Sequence, residues 1–232
     1  MAKKNNTKAG RVATGIGGLD SLISGGFPER TIALVSGGPG TGKTLFSLQF
    51  LMEGARKGEK CCYFSMNERE AELVRACKSV KSLGDVDQYL GKNLVFKVLE
   101  SESGFRLKEL FDILAAYPKV DRLVIDNLNK LLVFSDNLRD FRTQLARIVP
   151  QIKEKSNSTI LISETEGTEF HTTNGEGFET DSVIHLSYLD LEEKPLRTIE
   201  VIKMRYTTFD ARVKHSLSLD GKGMSLGKEK VI

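Results

Sequence analysis

The chain has 232 residues, 40% of them apolar and 28% charged, with 34 Lys and Arg against 31 Asp and Glu for a net charge of +3. That composition supports a packed core and excludes a wholly disordered chain, a collagen or a coiled-coil rod. So small a net charge does not by itself point to a nucleic acid or a membrane. The basic start, with Lys3, Lys4, Lys8 and Arg11 ahead of any acid, reads as a solvated tail over residues 1–10. Contact of that tail with nucleic acid or a partner is the other reading.

Cys61, Cys62 and Cys77 are an odd count without C-x-x-C spacing, which suits buried thiols in a reduced compartment. His171, His185 and His215 have no metal-ligand spacing; His185, in an apolar run, reads as a core histidine. No apolar leader follows the first lysines and no run is long enough to span a bilayer, so a soluble, cytoplasmic protein is expected.

In chain order, Thr31–Ser36 is a short apolar run that predicts a buried strand. Lys43–Arg56 predicts a helix with a broad apolar face. Cys61–Met66 is a second strand, Glu68–Val80 a helix, and Leu94–Leu99 a strand interrupted by Lys97. Phe105–Tyr117 is helical by its Leu and Phe stripe, which gives Phe111, like Phe46 and Phe50, a core position. Leu123–Ile125 is a short strand, Asn137–Lys155 a helix up to a break or kink near Pro150, and Thr159–Ser163 a fifth strand. This alternation predicts an α/β fold with a parallel sheet flanked by helices. Ser182–Leu191 and Leu196–Arg205 lie too close for a helical crossover, so an antiparallel hairpin is expected, with His215–Leu219 as a last short strand. Without repeats or a Pro- or Ser-rich linker, residues 11–232 read as one domain. Gly167–Gly177, rich in Gly, Thr, Glu and Asn, reads as an exposed loop.

Gly37-Gly38-Pro39-Gly40-Thr41-Gly42-Lys43-Thr44 is a complete G-x-x-x-x-G-K-[ST] motif between a buried strand and a helix. Glycines let such a loop turn its N–H groups onto phosphate oxygens, and the helix N-terminus adds partial positive charge. Lys43 supplies a full charge for the β- and γ-phosphates, and the Thr44 hydroxyl is a ligand for Mg²⁺. Arg122-Leu123-Val124-Ile125-Asp126 is an apolar strand ending in an acid; beside a phosphate loop, Asp126 is the second metal-holding residue, and otherwise an ordinary turn aspartate.

The segment Arg11-Val12 through Thr14-Gly15-Ile16, Gly18-Leu19-Asp20, Leu22-Ile23 and Gly25-Gly26-Phe27-Pro28 closely resembles the opening of the KaiC-like ATPases of the RecA superfamily. The phosphate loop, Val124-Ile125-Asp126 and Ile202-Lys203-Met204-Arg205 are similar to theirs as well. The resemblance runs from about Arg11 to the end. It implies a RecA-like core with a C-terminal antiparallel extension, ATP and Mg²⁺ as ligands, and a ring, commonly a hexamer, with nucleotide between subunits. By it, Gly38, Pro39, Gly40, Thr41, Gly42, Lys43, Thr44, Leu45 and Thr207 contact the nucleotide, and Thr44 and Asp126 hold the metal. Lys203 and Arg205 match residues that reach a neighbour's γ-phosphate, although Tyr206 and Phe209 depart from the usual pattern. The family's water-activating glutamate falls at Asn67, with Glu68 next. Asn orients water but does not take its proton at neutral pH. Glu68 is then either the base or a first-turn acid complementing a helix dipole. Ser163 and Glu164 end the fifth strand where related proteins often carry a Gln that senses phosphate.

The leading expectation is therefore an ATPase that acts slowly as a nucleotide-dependent oligomeric switch for an unidentified protein partner. A scaffold that binds nucleotide with little hydrolysis, and a DNA-repair ATPase of the RecA type, stand as alternatives. The acidic loop after Ser163 argues against the DNA reading. No Asn-Lys-x-Asp element for guanine is present; Asn127-Leu128-Asn129-Lys130 is not one.

Overall fold

Four apolar strands carry the centre of the sheet, and their neighbours fix its order. The computed structural model describes residues 10–99, 107–165, 174–190 and 195–231. A two-residue strand β1 (Arg11–Val12) pairs antiparallel with β2 (Phe27–Pro28), with a one-turn helix α1 (Leu19–Leu22) between them. Then come β3 (Thr31–Gly37), α2 (Lys43–Arg56), β4 (Cys61–Ser65), α3 (Glu70–Lys78), β5 (Leu94–Val98), α4 (Leu107–Ala116), β6 (Val120–Asp126), α5 (Leu128–Val133), α6 (Leu138–Lys155), β7 (Ser156–Glu164), α7 (Glu176–Glu179), β8 (Ser182–Leu189), β9 (Leu196–Met204), β10 (Lys214–Asp220) and β11 (Gly223–Lys230). The nine-stranded sheet has the order β11-β10-β9-β8-β3-β7-β6-β4-β5. From β8 to β5 it is parallel; β9, β10 and β11 are antiparallel.

Helices cover both faces. On one, α2 and α3 bury Phe46, Phe50, Leu51 and Leu73 against Val35, Tyr63 and Val124. On the other, α4, α5 and α6 bury Leu110, Leu131, Phe141 and Leu145 against Leu34, Phe64, Ile125 and Leu161. A strand buried on both faces needs apolar residues at every position, which is why β3 and β6 read as runs rather than alternations.

The mainly parallel α/β architecture and the β8–β9 hairpin agree with expectation. The expected break near Pro150 is absent: α6 continues through it to Lys155. Pro150 faces solvent, and Phe141, Leu145, Ile148, Val149 and Ile152 hold both halves of the helix against the sheet. Packing outweighs the lost backbone bond. Phe111 is not core but partly exposed. The expected exposed loop ends in a buried turn, because Glu176 and Gly177 are inside; its residues 167–173 lie outside the described set. Of the basic residues at the start, Arg11 lies among the described residues and is held: Nη1 donates to Thr207 Oγ1 at 2.7 Å and Nη2 to the Tyr206 carbonyl at 3.0 Å. The cysteines are buried and free, with burial pushing the thiols up to about 12, 11 and 12 for Cys61, Cys62 and Cys77. His185 Nδ1 lies 3.1 Å from Ser36 Oγ in the core. No helix among the described residues is long and apolar enough to cross a membrane.

The opening segment is locked by two polar anchors. Asp20 accepts from both the amide (2.8 Å) and hydroxyl (2.7 Å) of Thr14. Arg122, 1% exposed, donates to the carbonyls of Ala13 (2.7 Å) and Phe50 (2.8 Å), pairs with Glu59 at 2.5 Å and lies over the Phe50 ring. Gly54 leaves room for it, since a Cβ there would collide with the Arg122 side chain. Arg122→Met should therefore lower unfolding free energy by about 2–4 kcal/mol in urea titration, since two buried carbonyls lose their donor. Gly54→Ala should also destabilise, although alanine favours a helix by about 1 kcal/mol over glycine.

Candidate functional site

The C-terminal ends of β3, β7, β6 and β4 lie side by side, because Gly37 registers with Glu164, Ile125 with Leu161 and Ser65 with Asp126. In an open parallel sheet this edge is where ligands bind. A cleft of about 490 Å³ opens there, lined by Pro39, Gly40, Gly42, Lys43, Thr44, Leu45, Asn67, Glu68, Asp126 and Glu164 among others.

After β3 the chain turns through glycines with positive φ: Gly40 at +75° and Gly42 at +106°. Such a path is open to glycine and strained for other residues. Among the described residues, the N–H groups of Gly40, Thr41, Gly42, Lys43 and Thr44 make no hydrogen bond. A run of unpartnered N–H groups at the start of a 14-residue helix is an anion cradle. Lys43 Nζ donates to the carbonyls of Gly37 and Gly38, both at 2.9 Å, so the ammonium lies folded over its own loop. Burial pulls its pKa down, against the opposing influence of Glu164 and Asp126. Gly38 and Thr41 shape the loop from behind, with Thr41 Oγ1 donating to the Gly38 carbonyl at 2.8 Å.

Asp126 is 4% exposed, and Tyr63 OH donates to its Oδ2 at 2.5 Å. The Thr44 side chain acts on the same phenol, opposing the rise in its pKa that burial causes, so Tyr63 sits beside both side chains expected to hold a metal. Tyr63 was not anticipated. Its signal was a lone phenol in an otherwise apolar strand, where a buried hydroxyl must find a partner. Burial raises the Asp126 pKa; the Tyr63 bond opposes this and Glu164 adds to it.

Glu68 enters the cleft on a turn pinned by Ser65, whose Oγ donates to the Glu68 carbonyl at 2.6 Å and accepts from its amide at 2.9 Å. One carboxylate oxygen, Oε2, is buried without a protein partner. Burial, then Asp126 and Glu72, raise the pKa of Glu68. Asn67 is exposed at the same lip. Glu164 is braced from the start of α5: Asn127 Nδ2 donates to its Oε1 at 3.2 Å, and Asn129 brackets its backbone at 2.7 and 3.0 Å. Ser163 Oγ donates to Glu176 Oε1 at 2.9 Å. Asn127, Asn129 and Glu176 were also missed, because their partners lie on other elements.

Lys203, Arg205 and Thr207 are not in the cleft. β9 runs antiparallel, so Lys203 registers with Val183 at the far edge of the sheet. There Lys203 Nζ donates to the carbonyls of Gly177 (2.9 Å) and Thr180 (2.5 Å) at the end of α7. Arg205 lies 3.4 Å from Asp181, which also pairs with Lys153 at 2.7 Å. Within one chain, then, the structure brings Lys43, Thr44, Asp126, Asn67 and Glu68 together and leaves Lys203, Arg205 and Thr207 apart.

Comparison with known proteins gives consistent matches. A family model described as "ATPase: KaiC" matches residues 12–231. A UPF0273 protein of Pyrococcus horikoshii is 31% identical, with 96% of each chain covered. Circadian clock protein KaiC3 of Synechocystis is 28% identical over 94% of this chain but only 44% of its own length. Among solved structures, a KaiC-like protein of Pyrococcus horikoshii superposes with a TM-score of 0.76 at 28% identity, covering 94% of this chain and 99% of that one.

The raised pKa of Asp126 has a definite sign in stability. The folded state holds this proton more tightly than the unfolded state, so stability is lost as pH rises from the ordinary carboxylate value through the raised one. Asp126→Asn should therefore be more stable than wild type at pH 7 without divalent cations. The difference should shrink on acidification through that window, as followed by urea unfolding at several pH values.

Proposed function

The chain belongs to the KaiC family of ATPases, and from that premise we propose that it binds ATP with Mg²⁺ in the cleft and hydrolyses it slowly. The observation that carries this reading is the run of unpartnered N–H groups beside Lys43, facing a cleft that also holds Thr44, Asp126 and Glu68. The contact set is Gly38, Pro39, Gly40, Thr41, Gly42, Lys43, Thr44 and Leu45. The donor set fits the metal: Thr44 and Asp126 would hold it through a hydroxyl and a carboxylate, both oxygen ligands, the carboxylate fixed by the Tyr63 phenol. Mg²⁺ bound there would neutralise phosphate charge.

In the proposed reaction Lys43 leaves its loop carbonyls for the phosphates. Glu68 takes a proton from water as the water oxygen bonds the γ-phosphorus, and the bond to the β,γ-bridging oxygen breaks with its electrons leaving on ADP. A carboxylate with an unpartnered oxygen and a raised pKa suits a base. Asn67 at the first position is consistent with slow turnover.

Among the described residues, the cleft holds one ammonium against Glu68, Asp126 and Glu164. A triphosphate adds more negative charge, so positive charge beyond the metal is needed. Lys203, Arg205 and Thr207 stand at the opposite edge, where they suit a neighbour's cleft better than their own. An oligomer, with a hexameric ring as the family-based form, supplies that charge. Residues 11–232 form the ATPase domain in this reading, residues 1–10 a tail, and protein partners in the cytoplasm read the occupied state.

The test is bound nucleotide and released phosphate from one sample with Mg²⁺ and radiolabelled ATP. Lys43→Ala should lose both. Glu68→Gln should keep binding and lose about 10²–10⁴-fold in release. Unchanged release in Glu68→Gln would remove it as the base. Absence of Mg-ATP binding by the wild type would overturn the proposal.

A further inference from the structure

We propose that Tyr188 and Arg197 are positioning residues for the phosphate loop, acting through a single carbonyl. The inference rests on the reading of that loop as the nucleotide site. β3 leaves the sheet at Gly37, which registers with Leu186, whereas β8 continues to Leu189. The β8–β9 hairpin therefore projects past the base of the loop and overlooks its tip. There Tyr188, which registers with Arg197, donates its hydroxyl hydrogen to the Gly40 carbonyl at 2.9 Å. Arg197 Nη2 donates to the same carbonyl at 3.3 Å and to Tyr188 Oη at 2.6 Å. The guanidinium also lies 5.1 Å from the Tyr188 ring centre. The two side chains thus hold each other and converge on one acceptor.

Neither residue lines the cleft. Their effect on a ligand passes through the peptide plane. In a planar trans peptide, a carbonyl and the following N–H point in opposite directions. Fixing the Gly40 carbonyl toward the hairpin turns the Thr41 N–H the other way, into the cradle. Gly40 needs such a restraint. Its φ is +75° and no atom lies within 4 Å of where a Cβ would be, so packing does not hold it. Without the two donors the Gly40–Thr41 peptide is free to rotate, and ordering it falls to the ligand as an entropic cost.

The test is titration of the full chain with a fluorescent ATP analogue and Mg²⁺, beside steady-state phosphate release and thermal melting. Tyr188→Phe and Arg197→Gln should each weaken binding by about 3–10-fold, the range of one or two lost hydrogen bonds. KM should rise by a similar factor with kcat and the melting midpoint nearly unchanged, because the cleft-lining groups are intact. The double variant should fall short of the product of the single effects, since both donors serve one carbonyl. Arg197→Lys, whose longer side chain carries a donor within reach of the carbonyl where the shorter Gln does not, should recover part of the loss. Wild-type affinity in Tyr188→Phe and Arg197→Gln, with binding lost in Lys43→Ala, would overturn the brace while leaving the phosphate site standing. Binding that survives Lys43→Ala would overturn the phosphate-site reading, and the brace with it.

Discussion

Among the described residues, one ammonium and three carboxylates share the edge of the sheet where β3, β4, β6 and β7 end, and this imbalance limits what the edge accepts. Lys43 is buried, and Asp126 and Glu68 have raised pKa values because burial and neighbouring carboxylates both disfavour charge. A site in this condition is unstable in its own right and is relieved by cations. A divalent ion and a second subunit's basic residues are two sources of such relief. The proposed ATPase uses both.

The surrounding polar residues hold these charges in place. Tyr63 holds Asp126, Ser65 pins the turn that presents Glu68, and Asn127 with Asn129 fixes Glu164. The Tyr63 and asparagine anchors cross from one strand end to the next, and the Ser65 anchor is local to its turn. The parallel register of β4, β6, β7 and β3 is what brings them within hydrogen-bonding distance. Antiparallel β9 sends Lys203 and Arg205 to the other edge, where α7 carbonyls and Asp181 hold them. The same topology thus keeps Lys203 and Arg205 out of the cleft of their own chain.

Much of this was legible in the residues. Continuous apolar runs marked β3, β4, β6 and β7, and the glycine-lysine motif marked the loop between β3 and α2 to the residue. Elements too short for a period escaped: β1 and β2 have two residues each, and α5 has six, although Asn127 caps it by accepting from the Lys130 amide at 3.1 Å. β11 alternates weakly among Gly, Ser and Lys, and its pairing with β10 defines it. At the site, motif residues were readable because their spacing is local. Tyr63, Asn129, Tyr188 and Arg197 gain their meaning from partners 35 to 157 positions away, which no local pattern records. Pro150 and Phe111 show the reverse case, local rules overruled by how a helix packs.

The central claim is that one chain provides the carboxylates and phosphate loop while a neighbour provides Lys203 and Arg205. Mixing two inactive variants tests it most directly. Glu68→Gln lacks the base but keeps the basic pair, and Lys203→Ala/Arg205→Ala lacks the pair but keeps the base. Co-assembled in equal amounts, they form roughly a quarter of interfaces with both halves intact. The account predicts that phosphate release returns on mixing, toward that fraction of wild type. Release that stays at the level of the separate variants, in rings shown to contain both chains, would contradict it.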